Sequence, residues 1–331
     1  MNKIRTIGVL TSGGDAPGMN TAIRAVVNTA AYFGVQVKGV KKGYAGLLAG
    51  DYIPLTPISV DDTHYRGGTV LGSARCLEFK LPENVEKSVK LAKDSGIDAL
   101  VVIGGDGSFR GARDLSRAGL PTVAIPGTID NDIGCSDYCI GFNTALRNVC
   151  LDVENIRDTM YAHDRCSFVE VMGRNAGHIA LVSAIVTGAD AVLIPEREFD
   201  ILRDVVDPIV EAEKRDRHYH IVIVAEGVGN IERIAKKTEQ ALKRKHKISI
   251  ETKVTVLGHT QRGGSPTVTD RLTANRMGVH AVKLLLNGKS NRVVAMKNNK
   301  ITDYDIEKAL EMTKDIDQDT LEVFKILSAV R

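Results

Sequence analysis

The sequence predicts an α/β protein of two doubly wound, mostly parallel-sheet lobes with helices on both faces. Three observations carry that expectation. Short β-branched runs are apolar along their whole length instead of alternating, the pattern of strands covered on both faces. Segments of helical period separate them, and the turns between are rich in glycine and aspartate. The 331 residues correspond to roughly two domains, taking about 150 residues for each.

The first strand reads over 4–11 (IRTIGVLT), followed by a glycine-rich turn and an Ala/Val-rich helix over about 20–33, with Gly34 as its stop. A second strand follows over 35–40. Pro82 opens and Gly96 closes a helix over 82–95, whose inner face is Val85, Val89 and Ala92. The strand over 97–103 breaks into Gly104-Gly105-Asp106-Gly107, and a helix follows from Ser108. Another strand, 120–125, runs into Pro126-Gly127-Thr128-Ile129-Asp130-Asn131-Asp132. The second half repeats the rhythm, with strands near 166–172, 190–194, 220–225 and 253–257 and helices that include 175–187 and 230–245. The 175–187 helix is apolar nearly all round, which assigns it to the core. Ligands of such sheets gather at the carboxyl ends of the strands, so these turns are where function is sought.

Composition excludes several classes. Forty-four Lys and Arg against forty-one Asp and Glu leave a net charge of +3, too balanced for a dedicated nucleic-acid binder. The basic run Lys243-Arg244-Lys245-His246-Lys247 closes a helix, where cations complement the dipole. The apolar runs at 99–103 and 221–225 fall far short of the ~18 residues of a membrane span. The strand-like start at Ile4 leaves no room for a secretory signal. Five cysteines, Cys76, Cys135, Cys139, Cys150 and Cys166, show no CxxC spacing and read as free thiols of a cytoplasmic protein. His218 and His220 alternate on what reads as a strand edge, without the further ligands a metal pair requires.

Three turns of the first lobe carry chemistry. In Thr11-Ser12-Gly13-Gly14-Asp15-Ala16-Pro17-Gly18-Met19-Asn20, paired glycines let backbone N–H groups approach an anion at a helix start; a plain turn capped by Asp15 or Asn20 reads equally well. In Gly104-Gly105-Asp106-Gly107-Ser108, the carboxylate would repel a bare pyrophosphate but suits Mg²⁺ bridging it to phosphates. The expected third glycine of a dinucleotide fingerprint is Arg110, against a nicotinamide cofactor. Asp130 and Asp132 beside Thr128 suit a general base or a second metal contact, or more simply an Asx turn. The second lobe supplies cations, Arg165, Arg174 and the run Gly258-His259-Thr260-Gln261-Arg262-Gly263-Gly264, which fit a sugar phosphate.

TSGGDAPGMN, GGDGS, PGTIDNDI, VEVMGR and LGHTQRGGSP, in this order and spacing, resemble the bacterial ATP-dependent 6-phosphofructokinase family over nearly the whole chain. The resemblance implies a cytoplasmic homotetramer with active sites shared between subunits, which transfers the γ-phosphoryl group of ATP to O1 of fructose 6-phosphate with Mg²⁺, the committed step of glycolysis. It implies lobes of 1–141 plus 258–302 for ATP and Mg²⁺, and 142–257 plus 303–331 for fructose 6-phosphate. Asp130 would be the base and Thr128 would support it, while Asp106 would hold Mg²⁺. Gly13, Arg75, Cys76, Gly105, Gly107 and Ser108 would contact ATP, with Gly13 and Arg75 also serving catalysis. Fructose 6-phosphate would meet Thr128, Ile129, Met172, Gly173, Arg174, Glu226, His259, Thr260, Gln261 and Arg262, with Arg165 and Lys253 reaching in from a neighbouring subunit. An effector, ADP or phosphoenolpyruvate, would bind Arg24, Arg157, Gly188, Asp190, Arg215 and Arg217.

A pyrophosphate-using branch resembles GGDD and PKTIDND at loops where this chain has Gly107 and Gly127, which favours ATP as donor. Another GGDG kinase, for NAD or lipid, lacks the PGTIDND and MGR motifs, and a non-catalytic sensor would have no need of Asp130. Four departures stand out. Lys253 and Lys41 replace an arginine and a tyrosine of relatives, and Asn28 and Pro57 replace two arginines of the effector site. Loss of two cations from a polyanion site implies blunted inhibition by phosphoenolpyruvate or a different effector.

Overall fold

A computed structural model describes residues 4–330. The strands are β1 (Thr6–Thr11), β2 (Gln36–Val40), β3 (Tyr52–Leu55), β4 (Ala99–Gly104), β5 (Thr122–Thr128), β6 (Ile140–Gly141), β7 (Cys166–Val171), β8 (Ala191–Leu193), β9 (His220–Ala225), β10 (Thr252–Val256), β11 (Arg292–Lys297) and β12 (Lys300–Asp305). The chain divides into two compact units. Unit 1 runs to Ile129 and includes Ile133–Thr144 and Arg262–Lys314; unit 2 takes Asp130–Asp132, Ala145–Gln261 and the chain from Asp315.

Unit 1 holds an eight-stranded sheet in the order β12-β11-β5-β4-β1-β2-β3, with β6 beside β5. The central strands β1, β4 and β5 are buried at every residue, which is why their sequences do not alternate. Only the two edge strands run antiparallel, β3 on β2 and β12 on β11. The β11–β12 hairpin turns on Asn298 and Asn299, both in the left-handed region, as its two-residue turn requires. This hairpin and the helix Ile306–Glu311 belong to unit 1. Apart from the excursion of Asp130–Asp132, the chain crosses three times, after Thr144, Gln261 and Lys314, where the resemblance implies crossings near 141, 258 and 303. Helices Met19–Tyr32 and Val268–Leu286 cross closely at Gly278, where a Cβ would stand 2.6 Å from that of Ala25.

Unit 2 is built on a parallel four-stranded sheet, β10-β7-β9-β8. Its core gathers Phe168, Val222, Val224, Val205, Ile209 and Leu242, and each such buried side chain contributes about 1.5–3 kcal/mol by leaving water. His220 begins β9, an interior strand, and is buried, so the edge expected for His218 and His220 does not exist. The apolar helix opens at His178, three residues later than its composition indicates, after a turn in which Gly173 and Arg174 have positive φ. No helix among the described residues is long and apolar enough to cross a membrane.

A buried carboxylate organises unit 1 between its sheet and its crossings. Asp270 Oδ1 accepts from Tyr138 Oη at 2.8 Å and Gly141 N at 2.7 Å, and Oδ2 from Thr144 N at 2.8 Å and Thr144 Oγ1 at 2.5 Å. Thr144 Oγ1 in turn accepts from Thr267 N at 3.0 Å, so the ends of two crossings are tied together. At the third, Lys314 Nζ donates to Ser136 O at 2.9 Å and Asp137 O at 3.1 Å. Asp270→Ala leaves two buried N–H groups unpaired and lowers stability by about 3 kcal/mol, whereas Tyr138→Phe removes one donor and lowers it by about 1 kcal/mol; denaturant unfolding of both variants measures the difference.

Candidate active site

In unit 1 the turns after β1 and β4 meet. Ser12 N donates to Ile103 O at 2.9 Å, and a Cβ on Gly13 would reach Ser108 Oγ at 3.6 Å. Gly13 has φ +86°, and Ser73 Oγ donates to its carbonyl at 2.5 Å. Gly104 tolerates no side chain, since its Cβ would lie 2.4 Å from Ser108 Oγ and 2.5 Å from Ser12 O. Tyr44 Oη donates to Ser108 O at 2.5 Å, and its ring stacks on Phe79 at 4.2 Å between centroids. Phe79 belongs to the turn that follows Cys76, so Arg75 and Cys76 are carried on an anchored segment. Arg75 itself is exposed.

The helix Asp106–Arg117 begins two residues before Ser108, which puts Asp106 and Gly107 in its first turn with their N–H groups at the positive end of the dipole. The Asp106 carboxylate is 48% exposed and pairs with Arg110 at 3.0 Å. Gly105 lies near Thr128, to whose Cβ its own would stand at 3.8 Å. A Cβ on Gly107 would meet nothing within 4 Å, whereas one on Gly127 would press on Ile103 at 3.0 Å and Met19 at 3.3 Å. Packing within the protein explains glycine at 127; at 107 it leaves open space. Arg262 lies over the first loop, Nη1 donating to Asp15 O at 2.9 Å. Thr128 and Ile129 are buried at the end of β5, and Asp130, 4% exposed, and Asn131, at φ +54°, follow in unit 2.

Unit 2 gathers a second set at the carboxyl ends of its strands. Glu226 Oε1 accepts from Gly173 N at 3.0 Å and Arg174 N at 2.5 Å. The buried Gln261 accepts from Met172 N at 3.0 Å and donates to Gly258 O at 3.0 Å. Glu226 and Gln261 thus hold the backbone that presents Arg174. Burial and the Glu226 charge push the Glu170 carboxyl upward. Thr260 donates to Asp152 at 3.0 Å, and His259 is exposed.

Arg165 and Lys253 stand elsewhere. Arg165 precedes β7 and Met172 follows it, so the strand's six residues separate them by about 20 Å at ~3.3 Å per residue. At the amino ends of β7 and β10 both cations share one carboxylate, Arg165 Nε to Glu251 Oε2 at 2.6 Å and Lys253 Nζ to Glu251 Oε1 at 2.6 Å. The hydrogen bond from Lys253, with Arg165 beside it, holds the Glu251 carboxyl below its ordinary range. At the amino ends of β8 and β9, Arg157, Gly188, Asp190, Arg217, Tyr219 and Ile221 line a pocket of about 160 Å³. Asp190 pairs with Arg217 there, and Arg157 donates to Thr187 O. Arg215 donates to Ala329 O at 3.0 Å, and Arg24, in unit 1, pairs with Asp61 at 3.1 Å. Pro57 opens a short helix after the Thr56–Ser59 capping box, a local reason for proline there.

Among the described residues, no group of three or more His, Cys, Asp or Glu side chains could hold a metal ion. A single exposed carboxylate at a helix start fits Mg²⁺ of the kind that arrives with a polyphosphate, which supplies the remaining oxygens. The residues that sequence reasoning misses are the supports, Tyr44, Ser73, Asp152, Glu251 and Asp270, which carry no motif of their own. The two glycines of the second loop behave differently on substitution. Gly104→Ala forces Ser12 and Ser108 apart and lowers the melting temperature by several degrees, about 1–3 kcal/mol. Gly107→Ala is neutral or stabilising by about 0.5–1 kcal/mol; thermal unfolding of the pair checks this.

A family model described as phosphofructokinase matches residues 6–285. An ATP-dependent 6-phosphofructokinase of Clostridium novyi (strain NT) is 49% identical over 325 residues, covering 98% of this chain and 100% of that one. One from Clostridioides difficile (strain 630) is 50% identical over 325 residues, with the same coverage. The solved phosphofructokinase of Saccharomyces cerevisiae has a TM-score of 0.84 at 34% identity, covering 98% of this chain but 48% of that one, so the chain spans about half the length of the yeast subunit. Since the matches run through both units and every loop described above, the chain belongs to the phosphofructokinase family.

Proposed function

We propose that the chain is an ATP-dependent 6-phosphofructokinase, phosphorylating fructose 6-phosphate at O1 to give fructose 1,6-bisphosphate and ADP in the cytoplasm. The observation that carries the choice of donor is the open space at Gly107. A helix start free of side chains there admits the α-phosphate of ATP, while an aspartate, as in the pyrophosphate-using branch, would fill and charge that space. Gly127 carries less weight, because its neighbours Ile103 and Met19 already require a small residue.

Unit 1 takes the nucleotide. The Gly13 loop and the N–H groups at the start of Asp106–Arg117 bind phosphate oxygens, with Gly105, Ser108, Arg75 and Cys76 completing the site. Asp106 would hold Mg²⁺, which would supply neutralisation of charge on the transferring group. The sugar phosphate meets Arg174, Met172, Gly173 and the 259–261 segment, together with Arg262, Thr128 and Ile129. In the reaction the O1 hydroxyl attacks the γ-phosphorus, its proton passes to Asp130, and the bond to the β–γ bridging oxygen breaks to release ADP. Little covalent work falls to the protein, so positioning and charge neutralisation carry the catalysis.

The separation within unit 2 supports sharing of sites between copies. Arg165 and Lys253 lie a strand's length from Arg174, too far to bind one phosphate together in a single chain. They therefore serve a sugar phosphate bound by a neighbour, in a homotetramer. The amino-end pocket with Arg157, Gly188, Asp190 and Arg217 is the effector half-site, for ADP or phosphoenolpyruvate, which Arg24 and Arg215 would extend. Asn28 and Pro57 deprive it of two cations and blunt phosphoenolpyruvate inhibition.

A coupled assay of fructose 1,6-bisphosphate formation with Mg²⁺ tests the reading. Turnover is expected with ATP and not with pyrophosphate, and Asp130→Ser lowers kcat by about 10²–10⁴-fold with KM values little changed. Equal turnover with pyrophosphate refutes the donor assignment, and binding of both ligands without turnover would make the chain a sensor. Lys253→Arg restores a bidentate fork in place of a point charge and lowers KM for fructose 6-phosphate, with a shallower rise in salt; initial rates at two ionic strengths measure it.

A further inference from the structure

Glu251 belongs to none of the motifs, yet it is the one carboxylate bound by both Arg165 and Lys253. Its placement follows from the sheet. Thr252 of β10 is in register with Cys166 of β7, and Cys166 N donates to Glu251 O at 3.1 Å, so residues 165 and 251 stand side by side. Glu251 immediately precedes β10 and Lys253 is two residues on, so the two share a face of the extended chain. The two carboxylate oxygens are divided between the cations, each at 2.6 Å. All three side chains are partly open to solvent, at 30% for Arg165, 51% for Glu251 and 45% for Lys253. A ligand phosphate can therefore reach the cations, but only in competition with a carboxylate already in place.

We propose that Glu251 sets the affinity for the sugar phosphate, as an internal competitor for Arg165 and Lys253. This rests on the reading that those two cations bind the 6-phosphate held by a neighbouring copy. Binding is then an exchange of partners, in which a phosphate of charge near −2 displaces a carboxylate of charge −1. The net charge of the trio is +1 with Glu251 ionised and +2 without it. Exchange favours a dianionic phosphate over a monoanionic carboxylate ligand, so Glu251 also screens the site against ordinary organic acids.

The test is a set of three variants of the full-length enzyme, Glu251→Gln, Lys253→Gln and Arg165→Gln, with KM for fructose 6-phosphate and kcat measured at saturating ATP. Glu251→Gln is nearly isosteric and exposed, so it folds, and a thermal melt confirms it. It is expected to lower KM about threefold to tenfold, the range that two exposed ion pairs allow, with kcat unchanged and a steeper rise of KM with ionic strength. Lys253→Gln and Arg165→Gln are expected to raise KM. If they do so while Glu251→Gln leaves KM unchanged or raises it, Glu251 orients the cations or does nothing, and the proposal is overturned. If neither cation variant alters KM, the assignment of the pair to the phosphate is itself wrong, whatever Glu251→Gln does.

Discussion

Parallel strands have two unlike ends, and a strand of six residues keeps them about 20 Å apart. Much of the chemistry of this chain depends on that separation. In unit 2 the carboxyl ends carry Met172, Gly173, Arg174, Glu226 and the 258–261 turn, held by backbone hydrogen bonds from Glu226 and Gln261. The amino ends carry Arg165 and Lys253 on β7 and β10, and Asp190 and Arg217 ahead of β8 and β9. No flexing of an arginine, about 7 Å long, bridges a packed strand. Two rows of cations on one sheet therefore cannot meet on one phosphate within a single chain.

Glycine does two jobs in unit 1, and the space around each residue separates them. Gly104 and Gly127 are glycine because neighbouring atoms of the protein stand where a Cβ would be. Gly107 faces nothing, so the protein's own packing does not ask for it. A glycine that packing does not require, in the first turn of a helix beside an exposed carboxylate, is explained by what approaches from outside. At Gly13 the backbone itself asks for glycine, through a left-handed φ with the carbonyl pinned by Ser73.

The strands were the most legible part of the molecule. Runs such as IDALVVI and HIVIVA are apolar throughout because β4 and β9 are covered on both faces. The antiparallel edges were not legible, because β3 and β12 are half-exposed strands without a continuous apolar run, and the Asn298-Asn299 turn that pairs β12 with β11 is a signal easily passed over. The loops were readable because glycine and aspartate in a row mean a turn that can bind. Their supports were not, since Tyr44, Asp152 and Asp270 act across 64, 108 and up to 132 residues of sequence. At the amino ends of the unit 2 strands Arg165 was grouped with Arg174, and Lys253 and the effector residues were read only through resemblance, because the rule that ligands sit at carboxyl ends looks away from them.

At those amino ends every cation row already has an anionic partner. Glu251 lies between Arg165 and Lys253, and Asp190 pairs with Arg217 while also accepting from Ile221 N at 2.9 Å. The two carboxylates differ in what holds them. Asp190 is 5% exposed and tied to the backbone of β9, so it stays when a ligand arrives and its charge is a fixed cost to any anion bound nearby. Glu251 is half exposed and held by the two cations, so it can swing into water when they turn to a phosphate. Paired cations with a fixed carboxylate favour ligands that bring their own hydrogen-bond donors or a strong excess of charge; paired cations with a mobile carboxylate accept any dianion that outcompetes it. The same fold edge thus pairs its cations with a fixed carboxylate on one pair of strands and with a mobile one on the other, and burial of a single acidic side chain decides which.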